Sequence, residues 1–247
     1  MAAPRRGVNA SRLIACPILF IIVIGMIIES MRALASSAGG ADTLDLAASI
    51  EQGIRPEPGY LARFVENNGL DHPSSACGDA LTRARLTVAL AALDAAIKAN
   101  DKTLIEAAER NALAIAKRRL VCHPLDGNAW LRYAMIDAQA SGPSARVVDE
   151  LRLSYWSAPN ESWVIDARLP FATRLYLAGL AGFDSEYLRD LRRFATYQPA
   201  GQVAKTYART APQIQALLHP LIAAQPDARK RVILDEINRL GVAFDRR

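Results

Sequence analysis

Apolar side chains recur three and four residues apart through most of this 247-residue chain, and that spacing restricts what the chain can fold into. The clearest example is the run of strong helix formers at residues 78–99. Its apolar face comprises Leu86, Leu90, Leu93 and Ile97. The period-two alternation that marks a half-buried strand is nearly absent. The sequence therefore predicts an all-α protein.

Local signals predict where several helices begin and end. Residues Asn100 and Asp101 are expected to break the first long helix, and Thr103 with Glu106 has the form of a capping box for the next one. That second helix is predicted to run to about Val121. Two antiparallel helices joined by a tight turn follow from this spacing.

A helix–turn–helix pattern then repeats with a period of about 33 residues. Trp130 and Trp163 lie 33 residues apart, and each follows a proline and a short turn and begins an apolar-periodic helix. The prolines are Pro124 and Pro159, and residues 141–144 form the turn into a second helix between them. A fixed period of this length predicts stacked helical hairpins.

This arrangement resembles the tetratricopeptide repeat family. In that family a Trp comes six residues after the proline that closes the preceding repeat, as Trp130 follows Pro124 here, and a small residue lies four positions further on, as Ala134 does. Small residues also occupy the second helix of the repeat, where Ala112 and Ala116 fall. The resemblance is clearest from about residue 93 to residue 178, and it implies an array of antiparallel helical hairpins.

The chain departs from the family's pattern at three positions. Arg119 stands where an alanine is usual, and Pro159 is displaced by one or two residues from the expected register. Pro170 is expected to interrupt the first helix of the third repeat. Helices separated by prolines follow Pro170, and the last of them is predicted to begin at Asp227 and to stop at Gly241. These C-terminal helices are expected to cap the array, and a partner-binding groove is the alternative.

Residues 13–28 form an uncharged apolar run that follows Arg5, Arg6 and Arg12. The excess of arginine before the run predicts a cytoplasmic N-terminus and an exported body. The run reaches roughly 24 Å as a helix, which is short of the roughly 30 Å hydrocarbon core, but it is longer than the apolar region of a usual signal peptide, roughly 7 to 15 residues. A retained anchor is favoured, and cleavage near Ala35 remains the alternative.

Four segments follow from this interpretation. Residues 1–12 are predicted to be a cytoplasmic N-terminus, and residues 13–35 a transmembrane anchor or signal peptide. A linker with a short helix is predicted at residues 36–58, and a periplasmic helical domain at residues 59–247. The expected location is a bacterial inner membrane, crossed once.

Cysteine usage agrees with export. Outside the apolar run the only cysteines are Cys77 and Cys122, a pair for which a disulfide is the favoured interpretation and two buried thiols the alternative. No metal site is predicted, because each histidine directly precedes a proline and none has ligand spacing. The histidines are His72, His123 and His219.

No motif of nucleophilic, nucleotide-binding or metal-dependent catalysis occurs, so no catalytic residue and no cofactor are predicted. The acidic pairs Glu106 with Glu109 and Asp149 with Glu150 are interpreted as solvated helix faces. Beyond residue 35 the net charge is only +2, because four of the 30 basic and one of the 25 acidic residues precede that point. Nucleic acid is therefore not an expected partner.

Residues 122–132, together with the apolar run and the proline-rich C-terminal helices, resemble small anchored proteins of bacterial exopolysaccharide synthesis and export. The resemblance implies a non-enzymatic scaffold or accessory component that contacts the inner membrane, other envelope proteins and polysaccharide machinery. Two alternatives stay open. One is a periplasmic enzyme that modifies polysaccharide or cell wall, and the other is a general envelope-assembly scaffold.

Overall fold

The computed structural model describes residues 23–27, 40–67, 77–242 and 244, and all regular secondary structure in these ranges is helical. The prediction of an all-α fold is confirmed for this part of the chain. Residues 23–27 form a short helical segment. The longer helices are α1 (residues 40–51), α2 (Pro58–Asn67), α3 (Asp79–Ala99), α4 (Lys102–Cys122), α5 (Gly127–Ser141), α6 (Ala145–Ser157), α7 (Ser162–Leu177), α8 (Asp184–Tyr197), α9 (Ala200–Arg209), α10 (Pro212–Ala223) and α11 (Asp227–Arg239).

The predicted apolar span falls mostly outside the described residues. Its described part, residues 23–27, is exposed. Within the ranges that the structure describes, no helix combines the length and the apolar character needed to cross a bilayer.

The chain divides into two compact units, Met1–Ala92 and Leu93–Arg247, with the boundary inside α3. In the first unit, Ala47 of α1, Leu61 and Phe64 of α2 and Val88 of α3 are buried. The α2 face that contains Leu61 and Phe64 also carries Tyr60, whose ring centroid lies 6.0 Å from that of Phe64.

Two adjacent residues form the turn between α3 and α4. Asn100 has a left-handed φ of 54° and ends α3. Asp101 caps α4, because its side chain accepts hydrogen bonds from the backbone N–H groups of Thr103 and Leu104. The cap is therefore Asp101 rather than Thr103, and the Thr103 hydroxyl donates to the same carboxylate at 2.7 Å.

Most consecutive helices of the second unit pack on each other, and three pairs also contact across one intervening helix. The hairpin of α5 and α6 is flanked by α4 on one side, and α5 also contacts α7. The same order continues along the chain, where α7 packs on α8, α8 on α10 and α9 on α11. This packing order is that of a helical repeat. The shared core includes Leu131, Leu151, Phe171, Leu191 and Leu218.

Two residues that depart from the repeat pattern are accommodated by the structure. Pro170 lies inside α7 and does not interrupt it, so that expectation was wrong. Its ring is exposed, and a helix tolerates a proline where the missing hydrogen bond does not leave a buried gap. Arg119 is buried at the end of α4 and donates through Nε to Asp126 Oδ2 at 2.8 Å. Asp126 in turn caps α5, so this ion pair joins the two helices.

The start of α5 approaches the end of α6 closely. A Cβ atom built on Gly127 would lie 2.3 Å from the Cβ of Ala158 and 2.8 Å from its backbone nitrogen. Only glycine fits at this position, because the obstructing atoms include rigid backbone.

Cys77 and Cys122 are joined by a disulfide bond. The predicted bridge is confirmed, and the alternative of two free thiols is excluded.

Candidate binding cleft

The residues that define the sequence repeat lie in turns and first helical turns. Pro124 is in the turn before α5, and its carbonyl accepts a hydrogen bond from Trp130 Nε1 at 2.8 Å. The Trp130 ring meets Tyr133 edge to face, with 6.3 Å between the ring centroids. Ala134 is fully buried on the opposite side of α5 from solvent.

The second copy of this pattern has a different environment. Pro159 lies in the turn between α6 and α7, and Trp163 is the second residue of α7. Trp163 is 57% exposed, whereas Trp130 is partly buried. Two tryptophans that the sequence makes equivalent are therefore not equivalent in packing.

The two histidines that the structure describes lie in different surroundings. His219 stacks on Phe244 with 4.2 Å between ring centroids, His123 follows the end of α4, and His72 lies outside the described residues. Among the residues that the structure describes, no group of three His, Cys, Asp or Glu side chains is arranged to hold a metal ion.

The acidic pairs occupy dissimilar surroundings. Glu106 and Asp149 are exposed, and Asp149 lies 3.7 Å from Arg152. Glu150, in contrast, is buried, so its interpretation as a solvated residue was wrong. Neighbouring residues on a helix point about 100° apart, which is why Asp149 faces water while Glu150 faces α5.

The Glu150 carboxyl belongs to a small charged cluster between α5 and α6. Arg146 donates through Nε to Asp137 Oδ2 at 2.9 Å and approaches Glu150 Oε1 at 4.0 Å. Burial, followed by the charge of Asp137, raises the pKa of Glu150 to about 7, and Arg146 opposes this. Glu150 Oε2 is buried without a hydrogen-bond partner among the described residues. The cluster is therefore sensitive to pH near neutrality.

A fully buried ion pair ties α6, α7 and α8 together, and sequence reasoning missed it. Arg168 of α7 donates through Nε to Asp190 Oδ2 of α8 at 2.8 Å. Its Nη1 atom donates to the carbonyl oxygens of Ser154 at 3.0 Å and Ala158 at 3.3 Å, and the guanidinium lies over the Tyr155 ring at 4.1 Å. Burial raises the pKa of Asp190, while the hydrogen bond from Arg168 opposes the rise.

The sequence carries one signal of this pair. Arg168 occupies a position on α7 that its spacing from Ile165 and Ala172 marks as apolar, and those two residues are buried. A charged residue on an otherwise apolar helix face indicates a buried partner, although it does not say which one.

A cleft lies on the surface of α7, α8, α9 and the start of α10, and we call it the α7–α9 cleft. Its volume is about 660 Å³, within the range of ligand-binding clefts. Its floor is apolar and consists of Leu169, Leu191, Phe194 and Ile214, all of which are buried. The remaining lining residues are Asp166, Pro170, Thr173, Arg174, Gln202, Lys205, Thr206, Arg209 and Thr210.

Three cationic side chains line this cleft. Lys205 and Arg209 are four residues apart on α9 and so share one face of that helix, and Arg174 lies on α7. All three are exposed. Across the described ranges none of them forms an ion pair, and the Arg174 guanidinium lies 5.7 Å from the centroid of the Phe171 ring.

One carboxylate lines the same cleft. Asp166 accepts two hydrogen bonds from Gln198 Nε2, at 2.6 and 2.8 Å, and burial raises its pKa while Gln198 opposes the rise. Three cations against one carboxylate leave the lining positive. Pro170 also lines the cleft, and because proline has no N–H, the backbone carbonyl of Asp166 lacks its usual helical donor.

A smaller hollow of about 360 Å³ lies beside the cleft and shares Phe194 with it. Gln198, the partner of Asp166, lines this hollow together with Arg193 and the 80% exposed Tyr197. The Nη1 atom of Arg193 is buried without a hydrogen-bond partner in the described part of the chain.

No protein-family description, curated protein or solved structure matches this chain. The site must therefore be interpreted from its own chemistry. Sequence reasoning did not assign the cleft, although the four-residue spacing of Lys205 and Arg209 was visible; their convergence with Arg174 requires the tertiary structure.

Proposed function

We propose that this chain is a non-enzymatic docking protein that binds another protein in the α7–α9 cleft. The observation that carries the proposal is the combination of a buried apolar floor with three exposed cations that have no acidic partner within the described ranges. An apolar centre with a polar rim is the usual composition of a protein-binding surface.

The cleft offers poor support for glycoside hydrolysis. That reaction canonically requires two carboxyl groups on either side of the scissile bond. The lining contains the single carboxylate of Asp166, and it already accepts hydrogen bonds from Gln198. Glu106 and Asp149, members of the two acidic pairs, do not line the cleft.

The finer architecture that we propose is a tetratricopeptide-like array. Two observations support it. Three helix pairs of the second unit contact across one intervening helix, and the small-residue positions of the pattern are buried. Ala112, Ala116 and Ala134 are each fully buried, as close helix packing at these positions requires.

The location that we propose is a bacterial inner membrane, with residues 13–28 as anchor and the helical body in the periplasm. The arginine-flanked apolar run supports this orientation, and the bond between Cys77 and Cys122 supports an oxidising compartment. The proposed context is polysaccharide synthesis or export, which the resemblance of residues 122–132 supports.

Site-specific crosslinking tests the docking proposal. A photoreactive amino acid replaces Gln202, an exposed residue of the cleft, in the full chain in its native membrane, and the matched control replaces the exposed Gln139 of α5. A discrete protein adduct from position 202 alone is the expected result. Equal adducts from both positions, or none from either, contradict the proposal.

A fusion of alkaline phosphatase to the C-terminus tests the orientation, because this enzyme is active only after export. Activity in intact cells is expected. An inactive phosphatase fusion together with an active cytosolic reporter at the same position contradicts the proposed orientation.

A further inference from the structure

We propose that the occupant of the α7–α9 cleft is an acidic polypeptide segment whose carboxylates pair with Arg174, Lys205 and Arg209. This inference rests on the proposed docking function and names the chemistry of the partner. Acidic residues of the segment alternate with apolar ones, which contact the floor of the cleft.

Charge complementarity is the first argument. Some exposed cations elsewhere on these helices have acidic neighbours, for example Lys98 with Asp94 and Arg239 with Glu236. The three cations of the cleft have no such partner among the described residues, and they converge from two helices on one depression. A ligand with several carboxylates neutralises them together.

The floor of the cleft is the second argument. Leu191, Phe194 and Ile214 line it, and a ligand that is only charged leaves this surface without contacts. Aliphatic or aromatic side chains between the acidic ones cover it and exclude water from the ion pairs at the rim. A polypeptide supplies both kinds of side chain in one strand.

The backbone of α7 is the third argument. Asp166 and Pro170 both line the cleft, and Pro170 leaves the carbonyl of Asp166 without its helical donor. A polypeptide has backbone N–H groups that donate to such an acceptor, and a polyphosphate has none. The mixed requirement for carboxylates, apolar groups and N–H donors therefore favours an acidic peptide.

A peptide-binding assay tests this inference on the full chain in detergent micelles. The probe is a fluorescein-labelled peptide of about twelve residues that repeats Glu-Leu-Ser, and the control peptide has Gln in place of each Glu. Fluorescence anisotropy at moderate salt, about 0.1 M, is expected to show binding of the acidic peptide, with the control peptide bound at least about tenfold more weakly.

Substitutions on the protein side locate the binding. The triple variant Arg174→Gln, Lys205→Gln and Arg209→Gln is expected to weaken binding of the acidic peptide about tenfold, from three exposed charge pairs. All three residues are exposed, so the fold is retained, and circular dichroism checks this.

A matched variant removes the same charge elsewhere. Arg152→Gln, Arg189→Gln and Arg192→Gln change three exposed arginines that do not line the cleft. This variant is expected to keep binding within about twofold, because distant exposed charges are screened at moderate salt.

Three results overturn the inference: no binding of the acidic peptide, equal losses in the two triple variants, or displacement of the peptide by polygalacturonate with the carbohydrate bound more tightly. The last result assigns the cleft to an acidic glycan. Failure of the peptide assay with a discrete adduct from position 202 rejects the acidic segment and leaves the docking function standing. If neither peptide binding nor an adduct from position 202 is observed, the docking function is rejected as well.

Discussion

Replacing Arg168 with methionine is the sharpest test of how the second unit is held together. The Arg168 side chain has no exposed surface, and neither has that of Asp190. Methionine preserves much of the apolar stem but removes every donor. The substitution leaves the Asp190 carboxylate and the carbonyl groups of Ser154 and Ala158 buried without these hydrogen bonds.

The magnitude follows from the geometry. Removing one member of a buried ion pair costs about 3–5 kcal/mol, because the remaining charge stays in a medium of low polarity without compensation. For a unit of this size the loss corresponds to a fall in Tm of roughly 6–20 °C. The matched control is Arg152→Met, which breaks an exposed ion pair with Asp149 and is expected to cost less than about 1 kcal/mol.

Urea denaturation followed by far-ultraviolet circular dichroism measures both variants with the disulfide intact. A third variant, Arg168→Met with Asp190→Leu, removes both charges and is expected to be more stable than Arg168→Met alone, because no unpaired charge remains. If Arg168→Met costs no more than the surface control, or if the double variant is less stable than Arg168→Met, the buried pair does not have the role assigned to it.

Three further perturbations probe other parts of the fold. The raised pKa of Glu150 means that the folded state favours its protonated form, so the associated stability is present below the unfolded pKa near 4.5 and is lost as pH rises through about 7. Glu150→Gln is therefore expected to be more stable than the native chain at pH 8 and similar to it at pH 4, and a constant difference across urea titrations at these pH values contradicts the burial argument. Replacing Cys77 and Cys122 with serine opens a loop of forty-five residues and is expected to lower the free energy of unfolding by about 4 kcal/mol; a denaturation midpoint that matches the oxidised native chain contradicts this. Gly127→Ala is expected to lower the free energy of unfolding by about 1–3 kcal/mol, because its Cβ collides with the backbone of Ala158. The control Gly201→Ala, whose Cβ meets nothing within 4 Å, is expected to raise it by about 0.4–1 kcal/mol. Equal effects of the two substitutions in thermal denaturation contradict the close approach of Gly127 to Ala158.

Local sequence signals were sufficient for most of the helical architecture. The turn at Asn100 and Asp101 was predicted where the structure has it, and the last helix begins at the predicted Asp227. These features depend on interactions within a few residues, since caps, left-handed turns and apolar periodicity are properties of neighbouring side chains. Pro170 is the exception, because whether a proline breaks a helix depends on what surrounds it.

The pairings across helices could not be obtained in the same way. The partner of Arg168 lies 22 residues along the chain, and nothing in the local pattern selects Asp190 among the acidic residues of α8. The sequence likewise left the bond between Cys77 and Cys122 open, since spacing alone does not exclude free thiols.

The sequence by itself determined that this chain is helical and where most helices begin and end. The tertiary structure alone decided that Glu150 is buried while Asp149 is exposed, and that Arg174 joins Lys205 and Arg209 at one cleft. The physical reason is the range of the forces involved. Helix formation is governed by contacts three and four residues apart, whereas burial, pKa and the convergence of charges arise only when helices distant in sequence pack against each other.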